Sequence, residues 1–201
     1  LFNIKKMKIS YSLLASNHLD LINHLNEKAS QFDSIHFDFI DETYAGGLGL
    51  SVITLEQLCE FSNFEIDVHI LMKNHKAITE RICDKKINNI FYHIEFSSPE
   101  DFKQLNTGHA EKGIAIKLDY PLESLKKFMP YTDSVLLLCM EPSLNLKSNA
   151  YEPIKRVEEF KHFYPEFTGN LIVDGGVRHS DIPRLEELNV NTAVVGTSYI
   201  N

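Results

Sequence analysis

Ile35-His36-Phe37-Asp38-Phe39-Ile40-Asp41 and Glu65-Ile66-Asp67-Val68-His69-Ile70-Leu71 carry acid or imidazole at every other position. Successive strand side chains alternate faces, so His36 shares one side with Asp38, and Asp67 with His69. Ile35, Phe37 and Phe39, like Ile66, Val68 and Ile70, fall on the opposite side and need a cover of helices. Ionisable groups aimed into a protein persist when paired or metal-bound, because an isolated buried charge is too costly. A third run, Asn170–Asp174, ends the same way: Leu171, Ile172 and Val173 deliver Asp174 directly before Gly175-Gly176. Two His and two Asp at strand ends, His36, Asp38, His69 and Asp174, make a donor set for a divalent ion of the zinc, iron or manganese kind.

Outward from these runs, strand and helix patterns alternate. Strands are expected at Ile9–Leu14, Ser34–Ile40, Glu65–Leu71, Asn89–Ile94, Gly113–Leu118, Ser134–Cys139, Asn170–Asp174 and Thr192–Gly196. Amphipathic helices are expected at His18–Ser30, Val52–Ser62, Lys76–Asp84, Pro99–Asn106, Leu122–Met129, Tyr151–Phe163 and Ser180–Leu188. Ser98-Pro99-Glu100-Asp101 and Ser180-Asp181-Ile182-Pro183 carry helix-start signals. The rhythm implies parallel strands with right-handed crossovers. A closed (β/α)8 TIM barrel in a single α/β domain collects every polar strand end at one mouth. An open doubly wound sheet, the alternative, would scatter them along an edge. Residues 1–7 are read as an N-terminal extension and 8–201 as the barrel. Asn201 follows the eighth strand directly, so the eighth helix is expected to be missing or cut short, leaving that flank to a partner; a homo-oligomer is anticipated.

Composition narrows the partners. With 201 residues and 43% apolar content the chain can bury one substantial core. Twenty-eight acidic against 20 basic residues give a net charge of −8, which argues against nucleic acid and leaves a small molecule. No apolar stretch approaches the roughly 20 residues that span a bilayer, and no signal-peptide core follows Lys5-Lys6-Met7-Lys8, so no membrane association and a cytoplasmic location are expected. Cys59, Cys83 and Cys139 lack metal-motif spacing and read as core thiols.

At this point the chain resembles the ribulose-phosphate 3-epimerase family over nearly its whole length. Ile9-Ser10-Tyr11-Ser12 resembles the first-strand motif with a substrate-contacting serine, placing that role on Ser12. His36-Phe37-Asp38-Phe39-Ile40-Asp41 resembles the family's His-x-Asp-x-Met-Asp, and Asp67-Val68-His69 its Asp-Val-His. His93-Ile94-Glu95 is similar to the fourth-strand His-x-Glu, Val173-Asp174-Gly175-Gly176 to the seventh-strand Val-Asp-Gly-Gly, and Gly196-Thr197 to the eighth-strand phosphate-binding Gly-Ser. The resemblance implies one divalent metal ion (zinc, iron, manganese or cobalt) on His36, Asp38, His69 and Asp174, with Asp38 and Asp174 as the catalytic acid–base pair. It implies substrate contacts from Ser12, His69, Gly175, Gly176, Gly196 and Thr197. The activity implied is C3 epimerisation of a ketose phosphate, D-ribulose 5-phosphate and D-xylulose 5-phosphate or a relative. The chemistry agrees: inverting a carbon beside a carbonyl removes a proton on one face and returns one on the other, so two carboxyls must flank the substrate.

The chain also departs from the pattern. The family's glycine-rich loop after strand six is here Glu141-Pro142-Ser143-Leu144-Asn145-Leu146-Lys147-Ser148, leaving Lys147, Ser143 or Asn145 as side-chain candidates for phosphate. Pocket methionines become Ile40, Leu71 and Leu138, and the loop after strand two gains Glu42 and Tyr44. Recognition is therefore expected to differ while the chemistry stays. Asp41 and Asp67 are read as capping or ligand-orienting groups, and His93 as either a structural residue or a member of the site, oriented by Glu95. His18, His24, His75, His109, His162 and His179 are expected at the surface, Gly46-Gly47 in a mobile loop at the mouth, and Phe2, Phe61, Phe64, Phe160 and Phe163 in packing roles. Two alternatives stand beside the epimerase: an isomerase or lyase working through an enediolate on another sugar phosphate, and a non-catalytic sugar-phosphate-binding paralogue.

Overall fold

A computed structural model describes residues 6–140, 152–197 and 199–200. Eight parallel strands close into a barrel in chain order: β1 (Lys8–Ser12), β2 (Ser34–Ile40), β3 (Glu65–Leu71), β4 (Asn89–His93), β5 (Glu111–Ile116), β6 (Ser134–Leu138), β7 (Asn170–Asp174) and β8 (Thr192–Val195). β8 pairs back to β1 through Ile9↔Ala193 and Tyr11↔Val195, which excludes the open sheet. The Ser143–Ser148 loop, Tyr151 and Phe2 lie outside the described residues.

The alternation read from β2 and β3 is realised. Ile35, Phe37, Phe39, Ile66, Val68 and Ile70, none more than 3% exposed, join the outer core under the helices. Ile40, Leu71, Phe91, Ala115, Leu136, Leu138, Ile172 and Val194 fill the interior. Phe91 faces Gly113 across the β4–β5 register, and a Cβ at Gly113 would lie 2.4 Å from its ring. Only glycine leaves room there for the ring to plug the barrel. Met7, one residue ahead of β1, is also buried in the outer core.

The helices are α1 (Leu21–Lys28), α2 (Glu42–Ala45), α3 (Val52–Phe61), α4 (Lys76–Ile82), α5 (Pro99–Gln104), α6 (Pro153–Phe163) and α7 (Ile182–Glu187). Ser98 caps α5 by accepting from the Asp101 amide at 3.1 Å, as its start signal implies. Leu122–Lys127 is a 3-10 helix where an α-helix was expected. Its buried Leu122 and Leu125 are three residues apart, which matches the 3-10 period, and Pro121 and Pro130 bracket a run too short to favour α geometry. The predicted loop after β2 begins with α2, where Asp41 accepts from the Thr43 amide at 2.9 Å as N-cap.

Phe64 and Phe160 pack against or within the core, but Phe61 and Phe163 are 69% and 45% exposed, so two of the expected packing aromatics face solvent. His24 and His75 are half-buried rather than at the surface: His24 Nε2 lies 3.0 Å from Tyr11 OH, and His75 Nε2 lies 3.0 Å from Ser97 Oγ. All three cysteines are free; Cys139 is buried and Cys59 and Cys83 half-buried. No described helix is long and apolar enough to cross a membrane.

Candidate metal centre and active site

His36 and Asp38 on β2, His69 on β3 and Asp174 at the end of β7 meet at the barrel mouth, each buried. The register explains the meeting, since Asp38 pairs beside His69 and both lie on the inward face. Each residue offers one donor atom, and these atoms lie within 4.8 Å of one another. His36 Nε2 is 3.3 Å from Asp38 Oδ1 and 3.6 Å from Asp174 Oδ2; His69 Nδ1 is 3.2 and 3.4 Å from the same two oxygens. Ligands about 2.0–2.1 Å from a tetrahedral cation lie roughly 3.3–3.4 Å apart along each edge. The four separations have that scale, longer than the about 2.7–2.9 Å of a charge-assisted hydrogen bond. Both ring nitrogens of His36 lack an aligned hydrogen bond although they are buried. The donor set fits a divalent ion.

The electrostatics point the same way. Burial opposes a charge on His36, yet Asp38 and Asp174 outweigh it and push the imidazole up to about 9. His69 is raised by the same contest, burial against its hydrogen bonds to Asp174 and Asp38. Burial disfavours the charged Asp38 carboxylate too, but the two imidazoles hold it well below its ordinary range. Two buried carboxylates demand positive charge here, the demand that a divalent ion or a protonated imidazole meets.

Behind His69 runs a buried chain. His69 Nε2 is 2.8 Å from His93 Nε2, His93 Nδ1 is 2.9 Å from Glu95 Oε2, and Glu95 Oε1 accepts from the Lys117 amide at 2.9 Å. A carboxylate only accepts, so His93 donates from Nδ1 and presents a bare Nε2. A neutral His69 then donates from Nε2, which leaves its Nδ1 lone pair for a cation shared with the carboxylates. Burial pushes His93 down to about 4, keeping it neutral in this arrangement. His93 is therefore tied to the site, the second of the two readings its sequence left open. Tyr44 OH lies 3.2 Å from His93 Nδ1, a neighbour its position in a loop did not announce.

Of the substrate-contact candidates besides His69, Ser12 is in contact with the cluster and Gly175 directly follows Asp174. Ser12 Oγ is 3.4 Å from Asp38 Oδ2. Gly175 and Gly176 have φ of +94° and +73°, and the Met140 side chain would lie 2.6 Å from a Cβ at Gly175. Gly176 lines a 480 Å³ pocket with Arg178, Lys155 and the start of α6. Gly196 and Thr197 follow β8, Gly196 lying over Ala15. Asp67 sits one inward position before His69 and accepts from Asn89 Nδ2 at 2.7 Å.

The profile of the ribulose-phosphate 3-epimerase family matches residues 8–200. The chain belongs to that family. Among its relatives, the ribulose-phosphate 3-epimerase of Helicobacter pylori (strain ATCC 700392 / 26695) is 29% identical over 201 residues, covering 96% of this chain and 90% of that one. The Escherichia coli (strain K12) enzyme of the same name is 25% identical over 175 residues, covering 85% and 78%. Solved structures with the same fold include 3-keto-L-gulonate-6-phosphate decarboxylase of Vibrio cholerae (TM-score 0.67, 13% identity, 95% and 88% covered). The tryptophan synthase alpha-subunit of Pyrococcus furiosus is a further one (TM-score 0.68, 13% identity, 96% and 88% covered). At those identities the two share the barrel fold of this chain.

Proposed function

We propose that this family member is a metal-dependent ketose-phosphate 3-epimerase, acting on D-ribulose 5-phosphate and D-xylulose 5-phosphate or a related ketose phosphate. The observation that carries the reading is the convergence of Asp38 Oδ1 and Asp174 Oδ2 on His69 Nδ1, at 3.2 and 3.4 Å, from strands on different sides of the mouth. A divalent ion held by His36, Asp38, His69 and Asp174 would supply Lewis-acid polarisation of the ketose carbonyl. One carboxylate takes the C3 proton, an enediolate forms, and the other carboxyl returns a proton to the opposite face. The direction of reaction decides which of Asp38 and Asp174 starts as base. Ser12 holds the outer oxygen of Asp38 and faces the substrate. Gly175, Gly176, Gly196 and Thr197 offer close backbone approach to the phosphate.

The test is proton NMR in deuterium oxide with a panel of ketose 5- and 6-phosphates and the zinc-, manganese- or cobalt-loaded protein. Loss of the C3 proton together with appearance of the epimer is the expected result. Exchange at C1, or release of carbon dioxide, would assign a different enediolate reaction, and exchange with no sugar would remove the catalytic reading.

The buried chain behind His69 gives a second expectation. Glu95→Gln leaves one acceptor oxygen for two donors, His93 Nδ1–H and the Lys117 amide, so the tautomer of His93 that fixes the donor nitrogen of His69 is held less firmly. Outer partners of metal ligands typically matter by about 10–100-fold in affinity. Calorimetric titration with zinc should show a loss of that size. Unchanged affinity would mean that Glu95 only pins the Lys117 backbone.

A further inference from the structure

We propose that the end of the barrel opposite the mouth is a second cation site, for a hard divalent ion of the calcium or magnesium kind held by Asp67, Asn89 and Ser34. All eight strands begin on a polar residue, and each of these first residues falls on the inward face of its strand. Along β4 and β7, Phe91 and Ile172 of the interior layer separate Asn89 and Asn170 from His93 and Asp174 at the other end. The polar starts enclose a 210 Å³ pocket, with Lys8, Ser34, Glu65, Asp67, Asn89 and Glu111 in its lining.

Two oxygens in this lining are buried and unpaired. Ser34 is 2% exposed and stands two residues before His36 on the inward face, and its Oγ has no hydrogen-bond partner among the described residues. The same holds for Asn89 Oδ1. Asn89 Nδ2 is committed to Asp67 Oδ1, so the amide oxygen keeps its lone pairs for another group. Buried polar atoms are paired in native proteins, and two oxygens facing one acidic pocket fit a shared cation. Asp67 lies beside Asn89 in the β3–β4 register, and Ser34 beside Glu65 in β2–β3, so one ion there ties the starts of three adjacent strands.

Charge and donor type choose the ion. Glu65, Asp67 and Glu111 set three carboxylates against the one ammonium of Lys8, which is engaged with Glu65. The surplus of two negative charges matches one divalent cation. No imidazole or thiol lines the pocket, and oxygen donors select hard ions over those of the zinc kind. Among the described residues only the mouth ligands bring three or more His, Cys, Asp or Glu donors onto one point. The ion at this end therefore takes Asp67, Asn89 Oδ1 and Ser34 Oγ directly and reaches Glu65 and Glu111 through water, in the manner of a magnesium ion that keeps part of its hydration shell. A pocket of 210 Å³ has space for several such waters at roughly 30 Å³ each.

The test is calorimetric titration of the zinc-loaded protein with calcium and with magnesium, the zinc keeping the mouth ligands occupied. One ion per chain should bind, with a Kd of about 10⁻⁴–10⁻³ M, and saturation should raise the melting temperature. Asp67→Asn should weaken this binding by about tenfold or more, since it removes the one deeply buried charge. Ser34→Ala is the sharper variant. Losing an unpaired buried hydroxyl should leave the ion-free melting temperature unchanged or higher, while the ion binds about fivefold more weakly. A hydroxyl with a structural role alone would move the first quantity and not the second. Absence of saturable binding, as for a pocket filled by water only, overturns the site. So does unchanged affinity in Ser34→Ala, which would place the ion elsewhere on the acidic surface, and this variant decides the matter if Asp67→Asn does not fold. No sugar takes part, so the outcome stands apart from the epimerase reading.

Discussion

Asp174→Asn is expected to lower epimerisation by about 10²–10⁴-fold, the range that a positioned proton-transfer group contributes. Asparagine keeps the shape of the side chain and cannot take up a proton. Asp174 is buried at the end of β7, with Oδ2 close to both His36 and His69, so the substitution also weakens one metal donor. Metal content must therefore be measured and restored before rates are compared. The two-base scheme makes a sharper claim than loss of rate. With Asp38 intact, the epimer whose C3 proton faces Asp38 should still exchange that proton with deuterium, while interconversion of the epimers stops. Asp38→Asn should show the mirror image, exchange surviving in the other epimer. Joining the two substitutions should cost little beyond either one, because both groups serve a single reaction. Turnover within threefold of wild type in metal-loaded Asp174→Asn would remove Asp174 from the chemistry.

Phe91→Ala is expected to destabilise the barrel by about 3–5 kcal/mol, the cost of emptying a large aromatic from a close-packed core. The Phe91 side chain is fully buried in the interior cluster and pairs in register with His69 on one side and Gly113 on the other. The ring occupies the space that the missing Gly113 side chain leaves, so no neighbouring group can slide in to close the cavity. The converse change, Gly113→Val, overfills the same space and should cost about 1–3 kcal/mol. Denaturant unfolding of both variants, with the m-value held constant, checks the pair. A loss below about 1 kcal/mol for Phe91→Ala would mean that the interior collapses there. Because the site stands directly above this layer, Phe91→Ala should also weaken metal binding at His69 even where the barrel remains folded.

Much of the architecture was legible because it rests on periodicity. Strands β2, β3 and β7 match their expected bounds; β4, β6 and β8 end one residue early, and β1 and β5 are shifted by one or two residues at both ends. Period-two patterns with polar ends survive whatever packs around them. The segment after β5 did not read correctly, since Leu122 and Leu125 satisfy either a 3-10 or an α-helical spacing and neighbouring elements decide between them. Phe61 and Phe163 misled for a related reason: an aromatic at a helix end packs only if another element lies opposite, and among the described residues both stay exposed.

The same division runs through the site. The sequence alone determined which face of each strand carries chemistry, and so placed His36, Asp38, His69 and Asp174 at one end of a barrel. It also contained an unread signal: the first residue of every strand is polar and shares the inward face. Only the tertiary structure decided the rest. Barrel closure sets the 3.2–3.6 Å separations between donors on β2, β3 and β7 and the line from His69 through His93 to Glu95. Alternation along a strand is local geometry that two residues suffice to reveal, whereas distances between strands depend on the register and closure of all eight.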